Sequence, residues 1–291
     1  MISIWLALTI VSVLTVALAD IAQKVTLTNK VNISSITNNF YLWLSISVMA
    51  AITCLVFGFK LPNDFQLNGV IILKFLINGL CYFAAGSLYY QSYKGNSVSL
   101  SVILCSITSV ITMAIGIIFF NESMALFKFF GGALILLAIV IVNYTKKQKL
   151  DKYNILALTG GILYGVSYSI DKSIVGTINP IIYQAIICFL VAFFSLVFKP
   201  KLIIKESKLI NRTALKSMFL AAILFYFYQV CLFNAYKYGG EVGKISFISN
   251  TSIFLVFIFE MLILKNTSDI SRKILGSIIV FAGATLIVLA K

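Results

Sequence analysis

Residues Ser97–Asn143 read SVSLSVILCSITSVITMAIGIIFFNESMALFKFFGGALILLAIVIVN, and Glu241–Ile287 read EVGKISFISNTSIFLVFIFEMLILKNTSDISRKILGSIIVFAGATLI. The two stretches align without a gap at a spacing of 144 positions. Each is an apolar run, a short polar break, a basic residue, a glycine and a second apolar run. Lys128 falls on Arg272 and Gly132 on Gly276. After a one-residue slip, Tyr93-Lys94 falls on Tyr236-Lys237. An internal repeat of this length sets the architecture before any single residue does.

Across the whole chain, 60% of the 291 residues are apolar and 11% are charged. A soluble domain carries about a quarter charged residues, and surface-to-volume scaling cannot hide this much apolar area inside a particle of this size. The chain is therefore read as solvated by lipid, with apolar runs of about 20 residues as spans. Ten are expected: 2–22, 38–59, 69–91, 97–119, 124–144, 154–175, 180–199, 213–235, 243–264 and 272–290. The first lacks a basic leader and a small-residue cleavage signature, so it reads as a retained helix. The fold class is all-α membrane protein: ten transmembrane helices as two five-helix repeats, 1–147 and 153–291. Because five is odd, the second repeat enters from the opposite side. Inverted repeats with a substrate site at their interface near mid-bilayer characterise secondary transporters.

The net charge of +14 does not read as a nucleic-acid surface. The lysines cluster between apolar runs, and no basic–aromatic patch forms. Sixteen Lys/Arg fall at the connections after spans 1, 3, 5, 7 and 9, and seven elsewhere. The positive-inside rule then places the first set in the cytoplasm and both termini outside. The five cysteines sit inside apolar runs without CxxC spacing and read as small buried residues. With no histidine and nine carboxylates, no catalytic triad or metal cluster is expected, and no cofactor. No GxxxxGK[ST] motif supports ATP drive.

The run through Ser97–Phe120, the Asn121-Glu122 break, Lys128, Gly131-Gly132 and the closing apolar helix resemble the EamA type of the drug/metabolite transporter superfamily. The second copy, Gly243 to Leu289, repeats the pattern. The resemblance implies a ten-helix exporter or exchanger of amino acids, related metabolites or drugs, with a central cavity between the halves. Three features depart from it. The proline that members often carry in the fourth and ninth helices would fall near Ser109 and Ile253. The glutamate after the fourth helix is present as Glu122, but its echo is Asn266. Relatives usually have both termini in the cytoplasm, against the charge count.

Ionisable groups within spans are costly and invite a functional reading. Ser246, Asn250, Ile253, Phe257 and Glu260 are spaced to share one helical face. That would aim a carboxylate and an amide the same way, so that Glu260 could take a proton or hold a substrate ammonium. The bland alternative pairs Glu260 with Lys265. The counterpart face in the fourth span carries Val102, Ser106, Ser109, Met113 and Gly116. Thr9, Ser12, Val16, Asp20 and Gln23 form one face of the first span. Tyr164, Tyr168 and Asp171 form the matching face of the sixth, and a lysine follows each face (Lys24, Lys172). An Asp–Lys pair at a helix end is commonly a neutralised anchor.

Asn78, Tyr82, Ala85, Tyr89 and Ser92 share a face of the third span; Tyr226, Gln229, Phe233 and Tyr236 share one of the eighth. Tyrosine suits a cavity of mixed polarity. Tyr82, Tyr226 and Gln229 are assigned to that cavity, and Tyr89, Tyr90, Tyr93, Tyr236 and Tyr238 to an interfacial aromatic belt. Gly161-x-x-x-Gly165 reads as a close helix contact.

The expected activity is thus non-enzymatic. It is secondary transport of a small metabolite, most simply an amino acid or related compound, by rocking of the halves about a cavity lined by spans 1, 3, 4, 6, 8 and 9. Its expected substrate-binding residues are Tyr82, Tyr164, Tyr168, Tyr226, Gln229, Ser106, Ser246 and Asn250. Glu260, Asp20 and Asp171 are expected to couple protons or pair charge. Partners are the substrate, protons and the bilayer of the cell membrane, with spans 5 and 10 as packing or homodimer surfaces. The alternatives are a multidrug or lipophilic-cation exporter, and a non-transporting bundle or receptor.

Overall fold

A computed structural model describes residues 3–28, 33–62, 65, 68–123, 126–143, 151–265 and 270–289. Every regular element among them is an α-helix. The first repeat holds α1 (Ile4–Leu27), α2 (Ser35–Phe57), α3 (Gly69–Ser92), α4 (Val98–Cys105), α5 (Ile107–Phe120) and α6 (Leu126–Asn143). The second holds α7 (Lys152–Val175), α8 (Pro180–Phe198), α9 (Pro200–Ser207), α10 (Arg212–Lys237), α11 (Val242–Ser249), α12 (Ser252–Ile263) and α13 (Ile270–Leu289). Seven helical segments among the described residues are long and apolar enough to cross a membrane, counting α4–α5 and α11–α12 as one each. The other three expected spans are also helices. α7 carries more polar residues, and α6 and α13 border residues outside the description.

Helix ends follow the sequence. Ser34, Asn68, Ser97, Asn179 and Asn211 are N-caps whose side chains accept a backbone N–H of the first turn. Pro180 takes the first helical position of α8, where a missing N–H costs nothing. Leu55, Val56, Phe57, Ile118, Phe119 and Leu262 stand more than two-thirds exposed on helix faces. In water that would be untenable; in lipid it is the ordinary outer surface.

Helices pair in a pattern that survives exchange of the repeats. α1 packs on α10 and α3 on α7, while α2 packs on α8 and α6 on α13. The polar connection 199–212, read from sequence as a loop, contains the short helix α9. Glu206 on α9 accepts from the backbone N (2.9 Å) and hydroxyl (2.6 Å) of Ser34, tying α9 to the start of α2.

The fourth and ninth spans are each interrupted, at Ser106 and at Asn250-Thr251. Ser106 and Asn250 are 144 positions apart, the period of the repeat. Asn250 therefore sits at a break and not within a continuous helix. No proline is involved. The Ser106 hydroxyl donates to the Ile103 carbonyl (2.6 Å) and Thr108 to Cys105 (2.7 Å). Thr251 donates to Ile248 (2.7 Å). Hydroxyls that back-bond to carbonyls compete with the i−4 ladder and bend helices. The backbone tightens accordingly, with Ser109 N donating to Ser106 O and Ile253 N to Asn250 O.

The first break rests on α7. A Cβ on Gly161 would lie 2.8 Å from the Cys105 carbonyl oxygen, and one on Gly165 2.7 Å from the Ile111 side chain. The Gly161 carbonyl in turn accepts the Thr108 hydroxyl at 2.8 Å. The Gly161-x-x-x-Gly165 contact is thus present, and its partner is the broken helix.

Candidate functional site

A cavity of about 90 Å³ lies where the C-terminal halves of α1 and α3 and the middles of α7 and α10 meet the two breaks. α1 contributes Val16 and Asp20, and α3 contributes Tyr82, Tyr89 and Tyr90. Tyr164 and Tyr168 come from α7, and Phe225, Tyr228 and Gln229 from α10. The breaks supply Cys105, Ser106, Thr108, Ser249, Asn250 and Ser252, with Val102 and Ser246 beside them. Trp43 of α2 closes one wall. Both repeats therefore line it, and span 2 joins the six expected.

The wall is a chain of touching rings. Tyr82 contacts Trp43, Tyr164 and Tyr168 at centroid separations of 5.4, 5.9 and 6.1 Å. Tyr164 and Tyr168 stack at 5.8 Å, and Tyr168 shares a hydroxyl contact of 3.2 Å with Tyr228. Such rings present apolar faces whose negative quadrupoles attract cations. Asp20 is the acidic residue of the lining. It is 4% exposed; one carboxylate oxygen meets Tyr89 at 3.5 Å, the other has no hydrogen-bond partner within 3.5 Å among the described residues, and the Tyr93 hydroxyl also acts on the carboxylate. A carboxylate left half-satisfied in an aromatic enclosure is costly unless something arrives to complete it.

At the breaks, the polar side chains bridge the repeats. Asn250 donates to Ser109 (2.7 Å), and the hydroxyls of Ser109 and Ser246 meet at 2.9 Å. Gln229 accepts from Gln184 and Cys188, both at 3.3 Å.

Eight of the expected residues border the cavity: Tyr82, Tyr164, Tyr168, Gln229, Ser106, Ser246, Asn250 and Asp20. Tyr226 does not. Its hydroxyl bonds Thr53 on α2 at 2.8 Å, and Tyr228 takes the cavity position. The inward stripe of α10 is Phe225, Tyr228, Gln229 and Leu232, one step round from the face assigned by sequence; Gln229 belongs to both. Asp171 lies behind the wall. It accepts from Asn78 (2.7 Å), Tyr183 (2.5 Å) and Tyr82, and so fixes the Tyr82 ring.

Glu260 is also displaced, because the break at Asn250 ends the stripe that aligned it with Ser246. It accepts from the backbone N of Val98 (3.1 Å) and Ser99 (3.2 Å) and from the Ser99 hydroxyl, at the N-terminus of α4. Lys273 stands 3.8 Å from it and the charge of Lys24 also reaches it, while Lys265 forms no ion pair with it. The aromatic belt is overturned for four of its five members. Tyr89, Tyr90, Tyr93 and Tyr236 are buried, and only Tyr238 is exposed. Neither lysine that follows an aspartate pairs with it. Lys24 donates to the carbonyls of Tyr93 and Asn96, and Lys172 to the carbonyl of Gly240 and to Glu122.

The sequence matches the family model described as the EamA-like transporter family twice, over residues 3–144 and 151–289. The chain belongs to that family. It is an integral, multi-pass membrane protein of a transporter family. A protein of Methanocaldococcus jannaschii, described as uncharacterized, is 32% identical over 107 residues, which is 36% of this chain and 77% of that one. That relative is thus about as long as one repeat. A crystal structure of a protein with 11% identity superposes with a TM-score of 0.70, covering 96% of this chain and 94% of the other. At that identity the likeness concerns the fold alone.

Proposed function

We propose that this member of the family is a secondary-active exporter or exchanger of a small metabolite bearing an amino group, an amino acid or related compound. Two five-helix halves, 1–147 and 153–291, would rock about the cavity, each facing the membrane in the opposite sense. Supporting the inversion are the odd number of expected spans per repeat and a helix pairing unchanged when the repeats are exchanged. Breaks in the middle of the fourth and ninth spans fit a mid-bilayer site, where irregular backbone is tolerated only when it is buried in protein or lines a cavity.

One observation carries the cargo assignment: the unpartnered oxygen of buried Asp20 in a box of aromatic rings. An ammonium group would complete that carboxylate and lie against ring faces, while amide and hydroxyl groups at the breaks would hold the remaining polar atoms. Asp20, facing the cargo, replaces Glu260 as the group to which proton coupling is assigned. The residence proposed is the cell membrane, with both termini outside from the loop charges.

The test is flux in reconstituted vesicles, with and without a pH gradient, for the native protein and Asp20→Asn. Amine-bearing cargo should accumulate with the native protein and lose its gradient dependence in the variant. Undiminished gradient-driven flux by Asp20→Asn would remove Asp20 from the mechanism.

A second reading, export of lipophilic organic cations, is favoured by the lining itself: its residues include a carboxylate and no lysine or arginine. Competition separates the two. If a permanently charged aromatic cation blocks flux and zwitterionic amino acids do not, the second reading stands.

A further inference from the structure

We propose that Glu260 and Glu122 are the two gates of the cavity, each closing one end by clamping the first turn of the other repeat's broken helix. This rests on the transport reading above and adds the residues that would control access.

Glu260, on α12, takes the backbone N–H groups of Val98 and Ser99 at the start of α4. Glu122, just past α5, takes the backbone N–H of Val242 at the start of α11, at 2.7 Å. Val98 and Val242 are 144 positions apart, so each carboxylate holds the same point of the opposite repeat. Both exploit the unsatisfied N–H groups and positive dipole end of a helix N-terminus.

The two clamps lie at opposite ends of one span. From Val98 to Phe120 the chain runs 23 residues, broken once at Ser106, a rise of at most about 34 Å. One clamp holds its beginning, and Glu122 stands just beyond its end. Between them are Val102, Cys105, Ser106 and Thr108, which line the cavity. The cavity-lining part of this span thus lies between two charge-assisted contacts, each made across the repeats.

A lysine reinforces each end. Lys172 approaches Glu122 to 3.2 Å and the Gly240 carbonyl to 2.8 Å. Lys24 holds the carbonyls of Tyr93 and Asn96, just before α4. Asn96 and Gly240 are again 144 positions apart. Lys273 stands beside Glu260, while Lys128 bonds Glu241, the N-cap of α11, at 2.6 Å. Breaking one clamp frees one half-helix from the opposite repeat and leaves the other end closed, which is the asymmetry that alternating access requires.

The repeat alone would not reveal the symmetry. Glu260 aligns with Gly116, and Glu122 with Asn266. Glu122 reaches the shared place because the chain turns back at Asn121, a left-handed residue with φ of 51°, and because Gly116 leaves room for its carboxylate.

Cys105 is a free thiol on the cavity wall and reports access without any added probe site. Sealed vesicles of both orientations would be treated with a charged, impermeant methanethiosulfonate, and modification of Cys105 followed by mass spectrometry. Glu260→Ala should speed modification from one side of the membrane and Glu122→Ala from the other. Each gain should be about tenfold or more, since one lost charge-assisted hydrogen bond already sets about that scale and each variant loses more than one. Acceleration from the same side in both variants, or no acceleration in folded protein, overturns the proposal. Should either alanine variant fail to fold, Ser99→Ala removes one bond of the Glu260 clamp and Lys172→Met removes the support Lys172 gives to Glu122 and the Gly240 carbonyl; they should show the same opposed sidedness at smaller amplitude, and equal effects from both sides overturn it. Labelling requires no cargo. Absent flux with opposed sidedness would therefore refute the assigned transport and leave the gates standing.

Discussion

A Cβ on Gly116 would lie 2.5 Å from a carboxylate oxygen of Glu122, six residues further along the chain. The absence of a side chain at 116 is what lets Glu122 fold back against α5 and reach Val242. In the second repeat the aligned position is Glu260 itself, which needs no such return. One charge at one place in the fold is thus supplied from two different sequence positions.

That relationship predicts a specific intolerance at Gly116. Gly116→Ala should displace the Glu122 carboxylate, weaken its bond to Val242 and lower thermal stability by about 1–3 kcal/mol, the range for overpacking or for loss of a hydrogen bond to a charged group. The check is a thermal unfolding scan in detergent, with Gly116→Ala combined with Glu122→Gln. If Gly116 serves only to admit the Glu122 carboxylate, the double variant should lose less than the sum of the singles. Strict additivity would show that Gly116 packs for some other reason.

Tyr226 and Tyr228 make a matched pair two residues apart on one helix. Tyr228→Ala removes cavity wall and the partner of Tyr168, and should reduce cargo affinity about tenfold or more, as loss of a base-like stacking or ring contact of this size does. Tyr226→Phe deletes only a hydroxyl bonded to Thr53 and should leave affinity within about twofold. Binding of the amine cargo by calorimetry or scintillation proximity decides it. The reverse ranking would restore the face read from sequence.

The repeat, the all-helical membrane character and the central stripe of Asp20, Tyr82, Tyr164 and Tyr168 were legible in the sequence because period and apolarity act locally. The face of α10 was not, since Phe225, Tyr226, Tyr228 and Gln229 offer two overlapping stripes of similar chemistry. Only the packing of α10 on α1, α2 and α8 selects one. The breaks carried a readable signal: Ser106-Ile107-Thr108-Ser109 and Ser249-Asn250-Thr251-Ser252 both put hydroxyls where they can compete for backbone carbonyls. A continuous ninth helix would put Glu260 on the Ser246 face; with the break at Asn250 it meets the start of α4 instead. The lysine that follows Tyr89 and Tyr90 in sequence points to the membrane interface, yet Lys24 and its bonds to Tyr93 and Asn96 fold that end inward.

The glycine seat of the first break gives a stability prediction. Replacing Gly161 by Leu would drive a side chain into the Cys105 carbonyl and the Ile107 side chain, 2.8 and 2.7 Å from an added Cβ. The neighbour on one side is backbone, which cannot rotate away, so the cost should exceed the about 1–3 kcal/mol of ordinary overpacking. Replacing Gly176, whose added Cβ meets nothing within 4 Å, is the control. Gly161→Leu should fail to yield monodisperse protein in detergent while Gly176→Ala yields normally. Equal yields would mean that α7 does not seat the break.

The Lys128–Glu241 pair supplies a prediction in pH. Burial pushes the Glu241 carboxyl up, but hydrogen bonds and charge from Lys128 and Lys244 outweigh it and hold the group below its ordinary 4.5. A carboxyl depressed in the folded protein contributes stability above its unfolded value and loses it as pH falls through the folded one. Thermal stability in detergent should therefore decline on acidification below about pH 4.5. Lys128→Met keeps the length and apolar volume of the nearly buried lysine and leaves Glu241, 28% exposed, with Lys244 at 3.0 Å. Because the remaining charge can reach water and a second lysine, the variant should stay within about 1 kcal/mol of the native protein at neutral pH. Its acid-induced decline should be shallower, since less of the depression remains to be lost. Other carboxylates titrate in the same window, so the difference between the two profiles is the measurement. Parallel profiles would show that Lys128 contributes nothing to holding the start of α11.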